Sequence, residues 1–82
     1  MARQGYLHPL DRPALYRICY EGVLDPDWSS RLGGMTITQI TKGEARVVEL
    51  AGPLVDQAAL LGVLNSLYDI GLCLLSVERQ EQ

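Results

Sequence analysis

Eighty-two residues, 48% hydrophobic and 21% charged, make one globular domain, too apolar for disorder and too short for a second core. The formal charge is −3, and seven basic residues stand singly at Arg3, Arg12, Arg17, Arg31, Lys42, Arg46 and Arg79, so no basic stripe exists and nucleic acid is excluded as a partner. No apolar run approaches the ~20 residues of a membrane span, and the N-terminus lacks the apolar region of a signal peptide, which points to a cytoplasmic protein with no membrane contact.

There is no phenylalanine, so the core is aliphatic, helped by four tyrosines and Trp28. Such a core in so short a chain leaves little margin, and oligomerisation is the natural supplement. Cys19 and Cys73 lie far apart in strand-like contexts and read as two reduced, buried thiols. Residues 1–12 contain Gly5 and Pro9 and no usable period, so they read as an irregular arm. Tyr6, Leu7 and Leu10 are positioned there to dock on the body or on a neighbouring subunit. His8, the single histidine, reads as solvated beside Pro9.

The single domain is expected over residues 13–79, with a frayed tail at 80–82. Residues 14–24 alternate as a strand, with Tyr16, Ile18, Tyr20 and Leu24 on the uncharged core face and Arg17, Cys19 and Glu21 on the other. Asp25 then caps a short helix, Pro26 suits its first position, and Gly33-Gly34 ends it. Residues 35–41 and 45–51 form a hairpin about Lys42-Gly43, which pairs Ile37 with Val48, Met35 with Leu50 and Gln39 with Arg46. Asp56 caps the long helix and Gly71 ends it. Ala59, Leu60, Val63, Leu64, Leu67 and Ile70 form its apolar face, with Leu61 and Tyr68 at one border. Gly62 in mid-helix costs on the order of 1 kcal/mol against alanine, either simply tolerated or required by a close neighbour. A last strand over 72–77 is expected to turn Cys73, Leu75 and Val77 to the helix and Leu72, Leu74, Ser76 and Glu78 away from it.

The order strand, short helix, strand, strand, long helix, strand is that of the ferredoxin-like α+β sandwich: a four-stranded antiparallel sheet ordered 4-1-3-2, with one short and one long helix on one face. The open face would then carry Leu15, Cys19, Ile40, Val47, Leu72 and Leu74. A contiguous apolar patch on a soluble domain marks a partner or ligand surface. With Leu61 and Tyr68 these residues are the candidate interface, and Arg17, Glu21 and Glu49 are a candidate polar site capable of acid–base work or of a simple ladder of charges. No metal motif, phosphate loop or nucleophile elbow occurs. No cofactor, metal or catalytic residue is assigned.

Several segments carry a resemblance: Tyr16-Arg17-Ile18, Leu24-Asp25 with Trp28, Gly33-Gly34, Gly52-Pro53-Leu54-Val55-Asp56-Gln57-Ala58-Ala59-Leu60 and Gly71-Leu72-Cys73-Leu74-Leu75-Ser76-Val77-Glu78. Together they resemble a group of short, stand-alone bacterial proteins of unknown function. The resemblance implies a bacterial, cytosolic, single-domain protein and no catalytic or binding residues. The expected function is a small non-enzymatic interaction module that self-associates through its open sheet face and binds a protein partner. The alternative is a small-molecule-binding or enzymatic dimer with its pocket between the sheet face and a partner subunit.

Overall fold

In the computed structural model, residues 13–80 are described. The arm over residues 1–12, with Tyr6, Leu7, His8 and Leu10, and the last two residues lie outside them. The elements run β1 (Ala14–Glu21), a 3-10 helix (Pro26–Arg31), β2 (Thr36–Lys42), β3 (Ala45–Leu54), α1 (Gln57–Asp69) and β4 (Cys73–Gln80). The fold is α+β: four strands form one antiparallel sheet ordered β2-β3-β1-β4, the expected order read from its other edge.

β1 forms because its residues alternate, and the alternation selects the face it buries. Ala14, Tyr16, Ile18 and Tyr20 are buried, while Arg17 and Glu21 are exposed. The buried set joins Ile37 from β2 and Val48, Leu50 and Leu54 from β3. Leu24, Leu32 and Met35 from the connections and Leu60, Val63 and Leu67 from α1 complete a single cluster. Both helical segments therefore pack on one side of the sheet.

The first helical segment is a 3-10 helix, not the short α-helix expected. Asp25 Oδ1 accepts from the Asp27 N–H at 2.9 Å, and the Trp28 and Leu32 N–H groups donate three residues back, to Asp25 and Ser29. Six residues are too few to sustain an α-helical ladder, so the tighter turn prevails. Leu32 is fully buried, whereas Trp28 is half-buried under the Arg31 guanidinium, 5.2 Å from its ring centroid.

The hairpin register differs from the expected one. The loop is Gly43-Glu44, not Lys42-Gly43, so Ile37 pairs with Leu50, Gln39 with Val48 and Ile40 with Val47. Gly43 has φ +60° and is the first central residue, while Glu44 keeps a negative φ, the pattern of a type II′ turn with glycine in its required place. The two registers differ by two residues, which preserves every face. Met35, Ile37, Val48 and Leu50 are accordingly buried as expected. β3 also runs on to Leu54, alongside β1 and past the end of β2, where Pro53 interrupts no ladder on its open side.

α1 starts where Asp56 Oδ1 accepts from the Ala59 N–H at 2.9 Å. It ends with Leu72 N–H donating to the Leu67 carbonyl, around Gly71 at φ +90°. Leu60, Val63 and Leu67 are buried, but Ile70, expected in the apolar face, is 43% exposed because the chain leaves the helix there.

β4 requires the largest correction. It continues to Gln80 rather than ending at Val77, since Leu15, Tyr16 and Arg17 supply partners for Gln80, Arg79 and Glu78. Cys19 pairs with Ser76, but Tyr20 pairs with Leu74, so Leu75 is an extra residue without a partner on β1. This bulge changes the parity of the strand. Val77 shares the core side with Ile18, as expected, but Leu74 shares it with Tyr20, and Cys73 lies opposite Glu21 on the open side. Leu72 packs against the core, and a Cβ added at Gly22 would stand 2.5 Å from its side chain. Leu72 and Leu74 are therefore on the helix side, not the open face, and Cys73 is exposed rather than buried.

Candidate interaction surface

The two sides of the sheet divide the sequence-derived candidates. On the open face Leu15, Cys19, Ile40 and Val47 are each half-buried. In their midst Arg17 Nη2 lies 3.0 Å from Glu78 Oε1 and Arg17 Nε lies 3.4 Å from Glu49 Oε2, joining β4, β1 and β3. The Glu78 hydrogen bond, then both negative charges, hold the guanidinium above its ordinary range. Glu78 is the partner sequence reasoning missed; it follows only from the β1–β4 register, in which Arg17 and Glu78 are directly opposed. Glu21 pairs with Val47 and Cys73 and takes no part in this bridge, so the expected trio of Arg17, Glu21 and Glu49 does not assemble as a unit.

On the helix side, an apolar groove of about 250 Å³ opens between α1 and β4, lined by Tyr20, Leu64, Asn65, Tyr68, Leu72 and Leu74. Three of the interface candidates, Tyr68, Leu72 and Leu74, meet here, and Leu61 lies two helical turns before Tyr68 on α1. The groove exists because α1 buries Leu60, Val63 and Leu67 over the cluster, leaving β4 at the sheet margin. Tyr68 is 78% exposed, Leu75 52%, Leu74 47% and Val77 39%. Tyr20, in contrast, is buried, its hydroxyl meets no hydrogen-bond partner among the described residues, and burial pushes its phenol up.

A second, polar hollow of about 230 Å³ is bounded by Asp25, Asp27, Trp28 and Arg31 on the 3-10 helix. Among the described residues no three His, Cys, Asp or Glu side chains converge as a metal site would require. No helix there is long and apolar enough to cross a membrane.

The family described as Domain of unknown function (DUF8691) matches residues 15–78. The chain belongs to that family. The DUF8691 match runs from the second residue of β1 to Glu78 of β4, and so takes in the groove, the bulge and all three members of the Arg17 bridge. It places the chain among proteins of unknown function, as the sequence resemblance implied. No curated protein and no solved structure matches the chain.

Proposed function

We propose that this DUF8691 chain is a small, non-enzymatic interaction module that self-associates and holds a protein partner. The observation that carries this reading is the cluster of exposed apolar side chains at the α1–β4 margin: Tyr68, Leu74, Leu75 and Val77. Each would gain on the order of 1–3 kcal/mol from full burial, and Tyr68 and Leu74 line the same groove. The surface thus moves from the open face to the sheet's margin. The antiparallel order β2-β3-β1-β4 supports a ferredoxin-like build in which a 3-10 helix stands in for the first crossover helix. Two free thiols, one of them exposed, support a reducing cytoplasmic setting, and the sequence resemblance supports a bacterial one.

Light scattering at micromolar concentration tests the reading. Dimers or larger species are expected, with assembly weakened at least tenfold in Leu74→Asp and much less in Val47→Asp on the open face. A monomeric wild type, unchanged by Leu74→Asp, would end it. The second reading, a small-molecule-binding dimer, is favoured by the apolar walls of the groove. A thermal shift on metabolite screening that Leu74→Asp abolishes would select it instead.

A further inference from the structure

Cys19 and Cys73 are far apart in sequence, but the sheet brings them together. On neighbouring strands, Cys19 lies opposite Ser76 and Glu21 lies opposite Cys73. Both cysteines therefore stand on the open side of the sheet, at diagonal positions on β1 and β4. The bulge makes this so. With Leu75 inside a regular ladder, Tyr20 would meet Leu75, Glu21 would meet Leu74, and Cys73 would fall opposite Gly22 on the helix side. Both thiols are free, Cys19 half-buried and Cys73 exposed.

Diagonal neighbours on adjacent antiparallel strands stand ~7–8 Å apart, with their Cβ atoms somewhat closer. A disulfide spans ~4.4–6.8 Å between Cα atoms, so closure asks for a shift of about 1 Å. The shift falls where the sheet is best able to supply it. β4 is the last of the described strands, so Cys73 has a strand neighbour on one side only. Gly71 at φ +90° lies two residues before it and the unpaired Leu75 two residues after it, and a bulge bends and twists its strand. We propose that Cys19 and Cys73 are a redox pair that a peroxide closes to an intramolecular disulfide. The exposed Cys73 sulfur attacks one oxygen of hydrogen peroxide, the O–O bond breaks, and a sulfenic acid and one water form. The Cys19 sulfur then displaces hydroxide from the Cys73 sulfur, and the hydroxide leaves with the Cys19 proton as a second water. Two thiols are oxidised and one peroxide is reduced, giving one disulfide and two waters. Such a bond fits a reducing compartment, where disulfides are transient and redox-sensing. It would also restrain β4 between Leu72 and Leu74, which line the groove.

Treating the reduced, full-length protein with one equivalent of hydrogen peroxide tests it. Both free thiols are expected to be lost together, with an intact mass lower by two hydrogens and a Cys19–Cys73 link on peptide mapping. At micromolar protein this product should exceed disulfide-linked dimer at least ~100-fold, because tethered thiols meet at millimolar effective concentration. In the double variant Cys73→Ser, Leu74→Cys the second thiol moves to the helix side, and the link to Cys19 should be lost. A wild-type chain that keeps both thiols, that takes up oxygen at Cys73 while Cys19 stays free, or that links chain to chain through Cys73 overturns the proposal. Equal closure in the Leu74→Cys variant overturns it too, since the link would then owe nothing to the face on which the bulge places Cys73.

Discussion

Tyr20 fills the core under the groove, but its hydroxyl is buried with no partner among the described residues, and a buried unsatisfied hydroxyl costs about 1–3 kcal/mol. Tyr20→Phe is therefore expected to raise unfolding free energy by about 1 kcal/mol at neutral pH, measured by urea denaturation. Burial also makes the phenolate harder to form in the folded state than in the unfolded chain. A folded-state value above the unfolded value of about 10 means that this share of stability is complete below pH ~10 and is lost as pH rises through the folded value. Wild type should lose stability above pH ~10, and Tyr20→Phe should lose measurably less. Gln39 has the opposite character. Its Oε1 accepts from the Leu24 N–H at 3.1 Å, and its Nε2 donates to the Gly22 and Val47 carbonyls at 2.8 and 3.2 Å. One side chain thus ties the exit of β1 to the β2–β3 hairpin. Gln39→Met, similar in length but without donor or acceptor, should cost about 1–2 kcal/mol in the same assay.

Among the elements, α1 reads most directly from sequence. Its cap at Asp56, its stop at Gly71 and its buried Leu60, Val63 and Leu67 all follow from 3.6-residue spacing and local capping chemistry. Nothing lies within 4 Å of a Cβ added at Gly62, so this glycine answers no close neighbour. Gly62→Ala should then stabilise the fold by about 1 kcal/mol, visible as a higher Tm with assembly unchanged. The strands were legible as alternations, and the hairpin's misplaced loop did no harm because a two-residue slip keeps each side chain on its face. β4 was not legible in this way. Alternation through 72–78 has no internal mark at Leu75, and the extra residue is fixed by pairing with β1, a tertiary constraint absent from the strand itself.

At the scale of the molecule, the sheet has a charged side and an apolar margin. Sequence reasoning found most of the residues of both but assigned Leu72 and Leu74 to the wrong one. The open face is closed around Arg17, whose two carboxylate partners come from strands on either side. Exposed ion pairs of this kind contribute little to stability but set register, since opposite charges fit only when β3, β1 and β4 are correctly aligned. The margin at β4 is where association is expected, and the contrast between Leu74→Asp and Val47→Asp locates it to one side of the sheet. The bulge at Leu75 also has a bearing on descent within the family. It absorbs a change of length: with Leu75 removed, Leu74 still falls opposite Tyr20 and Cys73 opposite Glu21, so both halves of the strand keep their sides of the sheet. Comparing β4 with the corresponding strand of another DUF8691 chain therefore calls for a gap permitted at this point. Where the residue is missing, the positions of Leu72 and Leu74 still belong to the groove and that of Cys73 to the open face, a binding surface that survives the loss of a single codon.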